Sequence, residues 1–197
     1  MSRVGMGAAA APRRKLTERQ QQIVDLVLRG YRGREIASAL GISERAVTAH
    51  VAALKRQLGV RDRSGLVAAV LASRGLGVTG PHRRYANAPF LVAVTRGRDH
   101  RFTDTNRMWE QVMGLRRRDV IGRSVREVFP ERSRSTYAAR QRAYRTGRPA
   151  TGKAWHYRWR TAEGTAKEAD FRFIYQPLRG TRGKVEGLLL IATEVGD

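Results

Sequence analysis

Apolar positions recur at helical spacing through the first third of the chain and at strand spacing through most of the rest. Ile23, Val24, Leu26 and Val27 form one helical stripe. Thr17 followed by Gln20 predicts a capping-box start for it, and Gly30 a left-handed stop. Ile36, Ala37 and Leu40 predict a short second helix over 34–40, ended by Gly41. Ser43 is the N-cap of a third helix running to about Leu58 and closed by Gly59. Asp62 caps a fourth, which carries Val70 and Leu71 toward Gly75. No strand signal interrupts residues 16–73.

Residues 74–88 hold three glycines, a proline and mostly polar side chains, which is linker composition. Beyond them the period changes. Residues 90–95 (FLVAVT) predict a strand and residues 100–105 (HRFTDT) a second, while 106–114 and 134–146 read as helices. Trp155, Tyr157 and Trp159 then alternate with His156, Arg158 and Arg160. After a turn at 161–164, Phe171, Phe173 and Tyr175 alternate with Arg172 and Ile174, which predicts an antiparallel hairpin. A last turn at Gly183 precedes the LLLIAT strand. Strands, then helices, then strands define an α+β domain.

Charge narrows the function. Lys+Arg number 39 against 17 Asp+Glu, a formal net charge of +22, and 34 of the basic residues are Arg. Such a balance favours a polyanionic partner, nucleic acid above all; an Arg-rich, Ala-rich composition also arises from a GC-rich genome. Both halves are basic, so charge alone does not say which one binds. Residues 1–15 read as a flexible basic tail, with a basic arm on DNA backbone as the alternative. The chain has no cysteine, which excludes disulfides, thiolate metal sites and a flavin–cysteine adduct, and fits a cytoplasmic protein. No apolar run approaches 18 residues and the first residues lack a hydrophobic segment, so neither a membrane span nor a secretory signal is expected. His50, His82, His100 and His156 show no metal-ligand spacing. No phosphate loop, kinase motif or hydrolase elbow is present, so the chain is read as a non-enzyme.

The very short turn at 40–43 between the second and third predicted helices is helix-turn-helix geometry. On a helical wheel Val47, Val51, Leu54 and Leu58 face a core. Arg45, Thr48, Ala49, Ala52 and Arg56 lie opposite, with Lys55 beside them. Small residues and a hydroxyl between basic ends suit the major groove. Ala49, Ala52 and the Thr48 methyl would touch thymine methyls, Thr48 would bond a base edge, and Arg45 would pair with guanine or phosphate. The alternative is a solvated helix face on an interaction domain.

The stretch from Leu16 to Leu71 resembles the LuxR-type helix-turn-helix family. LTERQ and LRGYRGREIASALGISERAVTAHVAALKRQLGVRDRSGLVAAVL carry the resemblance. It implies a four-helix DNA-binding domain whose third helix enters the major groove. It also implies a fourth helix that forms a dimer seam, here through Leu66, Val67 and Val70. Arg34, Lys55, Arg56 and the tail are expected on phosphates, and Ser43, Arg45, Thr48, Ala49 and Ala52 at the groove. The sequence departs from the family pattern where Ala46 stands for a frequent threonine, Thr48 and Ala52 stand for two frequent lysines, and Gln20 stands at a commonly acidic position. His50 falls beside the core stripe, which favours packing, with a groove contact as the alternative.

Residues 89–195 resemble the PAS family. The resemblance rests on NRMWEQVMG at 106–114, VIGRSVREVFPE at 120–131, YRTG at 144–147, YQPL at 175–178, GKVEG at 183–187 and the IATEV ending. It implies a five-stranded antiparallel sheet flanked by helices that holds a small molecule or pairs with another copy. Trp155, Tyr157, Trp159, Phe171, Phe173 and Tyr175 lie on one face of the hairpin. With Trp109, Met113, Phe129 and Tyr137, and with Phe90, Val92 and Ile121, they would line an apolar ligand pocket. An ordinary core, or a sheet face buried in a dimer, is the alternative. Haem-binding relatives place a His on the long helix; 134–146 has none, and His156 falls opposite the aromatics, which argues against haem.

The sequence therefore describes a multidomain chain: tail 1–15, all-α helix-turn-helix 16–73, linker 74–88 and α+β PAS domain 89–195. The function expected is sequence-specific transcriptional regulation. The partners are double-stranded DNA, a second copy in a homodimer and a small-molecule or protein signal. No cofactor is predicted. The runner-up is a PAS-mediated scaffold tethered to DNA.

Overall fold

The computed structural model describes residues 16–73, 85–130, 134–152, 154–160 and 163–195, and the side chains of all of these except 134–136 and 159. The tail, residues 74–84 of the linker, His82 and the Trp159 side chain lie outside that description.

Caps set the helix limits in the first module. The helix α1 (Glu18–Leu28) opens on a reciprocal pair. Thr17 Oγ1 accepts from the Gln20 amide at 3.2 Å, and Gln20 Oε1 accepts from the Thr17 amide at 2.9 Å. The helices α2 (Gly33–Leu40) and α3 (Glu44–Leu58) end on Gly41 and Gly59 with φ of 62° and 67°, a conformation that costs glycine little. Ser43 Oγ accepts from the Ala46 amide at 3.2 Å to start α3. Asp62 Oδ1 accepts from the Gly65 amide at 2.8 Å at the start of α4 (Arg63–Ser73). Ile23, Val27, Ile36, Val47, Leu54 and Leu66 are all buried where these helices converge.

The second module is an antiparallel sheet with helices on one face. Its strands are β1 (Leu91–Arg96), β2 (Arg101–Thr105), β3 (Ala150–Thr151), β4 (Trp155–Arg160), β5 (Ala166–Arg179) and β6 (Val185–Glu194). They run in the order β2-β1-β6-β5-β3, with β4 also on β5. Five strands were expected from the family resemblance, and six are present. The extra one arises because β3, ending at Thr151, and β4, starting at Trp155, line the same edge of β5 with a break between them. Gly152 lies at that break against the Phe173 ring, where a side chain would collide. Between β2 and β3 come α5 (Arg107–Met113), α6 (Arg117–Val120), α7 (Val125–Val128) and α8 (Arg134–Thr146).

Register separates the two sheet faces. Thr105, Ala93, Leu190, Tyr175 and Ala150 form one row across the sheet, and Leu91, Ala192 and Phe173 the next on the same face. This inner face packs with Phe102, Trp109, Val112, Ala139 and Ala143. Val92, Ile191 and Ile174 form a row on the opposite, outer face, which packs on the first module. Burial of both faces explains why LLLIA of β6 is apolar without alternation.

The element that covers the outer face is α4. Ser64 Oγ lies 3.0 Å from the Arg172 carbonyl oxygen and 2.6 Å from Thr193 Oγ1. Val67, Ala68 and Leu71 follow Ser64 at helical spacing and are 0%, 0% and 3% exposed. This corrects the dimer-seam expectation. Leu66, Val67 and Val70 are buried inside one chain, because a helix apolar all round is sandwiched between α1–α3 and the sheet. Gly30, with φ of 89°, touches the Pro89 ring and closes the joint at the end of α1. Tyr85, inside the linker read from composition, belongs to the sheet module. It is buried, and its hydroxyl donates to Asp104 Oδ2.

Candidate nucleic-acid interface and sheet interior

The outward side of α3 is open. Ser43, Arg45, Thr48, Ala49 and Arg56 are exposed, and Ala52 and Lys55 half-exposed. Val47 and Leu54 are buried, and Val51 and Leu58 pack beside them, which fixes the helix from behind. The sheet module docks on α4 and leaves Ser43, Arg45, Thr48 and Ala49 exposed, while Lys55 lines a cleft with Arg172, Thr193, Glu194 and Val195 of the sheet module. His50 is half-buried beside the core. Thr48 Oγ1 donates its proton to the Glu44 carbonyl at 2.9 Å. Toward solvent the hydroxyl is left as an acceptor with a methyl beside it, so its partner would be a base amino group. Arg34 pairs with Glu44 at 3.2 Å, both exposed, a contact that a phosphate can displace at little cost.

The inner face of the sheet holds the expected aromatic cluster, with corrections. Trp109, Phe171, Phe173 and Tyr175 are fully buried. Trp155 and Tyr157 are half-buried on the same face, and Trp155 stacks on Phe173 with ring centroids 4.1 Å apart. Phe129 meets Trp109 and Phe102 edge-on at 6.1 and 6.3 Å, and Met113 packs against the cluster. Tyr137 is half-buried. Phe90 and Val92 line no such interior: they belong to the outer-face core, since β1 alternates and Val92 points away from Leu91. Ile121 is 36% exposed at the end of α6. His156 is on the other face, as expected, with Nδ1 3.0 Å from Asp170 Oδ1.

Sequence reasoning missed the polar groups of this module. Asn106 binds the strand to the helices. Its Oδ1 accepts from the Val92 and Trp109 amides, and its Nδ2 donates to the carbonyls of Tyr85, Ala88 and Phe90. Asp104 takes Arg117 Nε at 2.8 Å as well as the Tyr85 phenol. Burial, then the bond to Asp104, holds that phenol above its ordinary pKa. His100 and Arg140 are 0% and 3% exposed. Burial first, then the Arg140 and Arg126 guanidiniums, pushes the His100 imidazole from 6.5 down to about 4. One signal for Arg140 was available. It lies between Ala139 and Ala143 on the buried side of α8, three residues from Tyr137 and four from Tyr144.

Comparison with known proteins divides the chain at the same place. Residues 14–70 match the family of bacterial regulatory proteins of the luxR type, and residues 85–197 match the PAS fold. The chain belongs to the PAS-fold family and carries a LuxR-type helix-turn-helix domain ahead of it. Over 69 residues it is 38% identical to the nitrate/nitrite response regulator protein NarP of Escherichia coli K12. That match covers 35% of this chain and 32% of NarP, so the chain spans about a third of the curated relative it matches. Among solved structures, an RNA-binding light-oxygen-voltage receptor is 15% identical with a TM-score of 0.44, covering 89% of this chain and 60% of its own. The Vibrio cholerae VqmA–ligand–DNA complex is 17% identical with a TM-score of 0.42, covering 56% and 47%. Among the described residues no helix is long and apolar enough to cross a membrane.

Proposed function

We propose that the chain is a sequence-specific DNA-binding transcriptional regulator whose PAS domain receives a small-molecule or protein signal. The observation that carries this reading is the open face of α3, small in the middle and basic at its edges, on a luxR-type domain. Arg45 pairs with guanine or phosphate at the N-terminal end of α3. Thr48 accepts from a base amino group, and Ala49 and Ala52 admit close approach and touch thymine methyls. Arg34, Lys55 and Arg56 contact phosphates, and the Ser43 hydroxyl holds the helix start against the backbone. Two copies bind two half-sites. The surface that pairs them is not α4, which the sheet occupies.

The signal reaches the reader through α4, which touches β5 and β6 on one side and α1 and α3 on the other. A ligand that favours one arrangement of the sheet shifts the reader population accordingly. The test is binding of Arg45→Ala and Thr48→Ala to a cognate and a scrambled duplex at one salt concentration. The reading expects losses of about 1–3 kcal/mol confined to the cognate site. Equal losses on both duplexes would reject base readout.

A further inference from the structure

Three hydrogen-bonding side chains in the sheet module are buried without the acceptors they need. Arg140, on α8, is 3% exposed. It gives one bond, from Nη2 to the Tyr175 hydroxyl at 3.2 Å, and its guanidinium lies 4.8 Å from the Tyr175 ring centroid. Its Nε has no hydrogen-bond partner, and no carboxylate pairs with it among the described residues. Tyr175 accepts from Arg140, so its own proton is left for an acceptor. His100 is fully buried and neither ring nitrogen has a partner. Its φ of 52° is the one positive value outside glycine among the described residues. Its ring is held edge-on by Tyr144 at 5.2 Å and Tyr137 at 6.2 Å. Arg126 adds a further positive charge over the Tyr137 ring at 4.4 Å.

Such a group of donors is costly if left alone. A buried guanidinium without an anion is strongly unfavourable. Unpaired buried polar atoms are few in folded proteins, and a backbone in a sparsely populated conformation concentrates at ligand sites. Burial first, and then the Arg140 and Arg126 guanidiniums beside the ring, lower the His100 pKa. Phe102, Trp109 and Phe129 belong to the same aromatic cluster.

We propose that Arg140, Tyr175 and His100 form the recognition site for a small organic carboxylate with an apolar or aromatic body. The carboxylate accepts from Arg140 Nε, the Tyr175 hydroxyl and one His100 ring N–H. The body lies among the aromatic side chains. The proposal deepens the reading of the PAS domain as a sensor and rests on it, but its test does not involve DNA.

The full chain is titrated with benzoate, acetate and inorganic phosphate in carboxylate-free buffer, read by thermal denaturation and by the His100 ring proton shifts in NMR. Benzoate is expected to raise the melting temperature with concentration. It is also expected to raise the His100 pKa toward its ordinary value, because a negative charge now faces the ring. Acetate acts more weakly, for want of the body. A stronger response to phosphate than to benzoate would overturn the carboxylate assignment. Arg140→Met keeps the volume and removes the charge. It is expected to melt no lower than the parent without ligand and to bind benzoate at least about tenfold more weakly. Tyr175→Phe is expected to fold and to lose part of the affinity. If the parent responds to none of the three anions, or if Arg140→Met melts far lower and Tyr175→Phe binds unchanged, the donors serve the fold or a buried water and the proposal fails. Intact DNA binding in that event would leave the transcriptional reading standing.

Discussion

Replacing Ser64 should destabilise both modules at once. Its hydroxyl is 1% exposed and sits on the helix that joins the DNA-binding domain to the sheet. One proton per hydroxyl fixes the directions: Ser64 donates to the Arg172 carbonyl and accepts from Thr193. Ser64→Ala removes two neutral bonds of about 1 kcal/mol each and strands the Thr193 hydroxyl, which is 8% exposed. A total of about 2–3 kcal/mol is expected. Thr193→Val keeps the shape and removes one bond, at about 1 kcal/mol. The double variant no longer strands a hydroxyl, so it should cost about 1 kcal/mol less than the sum. All three tryptophans (Trp109, Trp155 and Trp159) lie in the sheet module. Urea unfolding followed by tryptophan fluorescence therefore reports on the sheet, while far-ultraviolet circular dichroism also reports on α1–α4. The two transitions should coincide in the parent chain, and Ser64→Ala should move both. Additive costs, or a fluorescence transition untouched by Ser64→Ala, would show that α4 does not pack on β5 and β6.

Two further outcomes follow from the same packing. Gly30→Ala should cost about 1–2 kcal/mol or more, since its φ is 89° and a side chain there meets the Pro89 ring; chemical denaturation checks it, and a neutral result would mean the joint is open. His100 has a folded pKa of about 4, below its unfolded 6.5, so its neutral form stabilises the fold above pH 6.5. That contribution, about 3 kcal/mol, should drain away as pH falls from 6.5 toward 4. The groups facing the ring are Arg126, Arg140, Tyr137 and Tyr144. Urea midpoints in carboxylate-free buffer should therefore fall less steeply for His100→Asn, which tolerates the backbone angle, and parallel curves would refute the burial of a neutral imidazole.

Local chemistry made much of this fold legible. Thr17 with Gln20, Ser43, Gly41 and Gly59 mark helix limits because capping is decided within a few residues. The parity of Trp155, Tyr157, Phe171, Phe173 and Tyr175 marks one sheet face because strand periodicity is strict. What covers a face is a long-range matter. The apolar sequence of α4 signals burial on two sides, but periodicity names no partner, and the family resemblance pointed to a second chain where the sheet of the same chain stands. Val92 and Phe90 were assigned to the interior for the same reason: β1 is buried on both faces, so its sequence carries no alternation to separate them. His100 and Arg140 were harder to read for another reason. One reads as a lone histidine at the start of a predicted strand and the other as one of many arginines, and only the packing of α8 over the inner face takes them out of water.

The most direct measurement of the central claim is selection of duplexes from a randomised pool by the full purified chain at modest salt, followed by repetition with Arg45→Ala. The account predicts an enriched sequence, arranged as two half-sites about one helical turn apart, with specificity relaxed at one position in each half-site when Arg45 is removed. A pool that returns no sequence above background, or the same sequence with undiminished preference from the Arg45 variant, would contradict it.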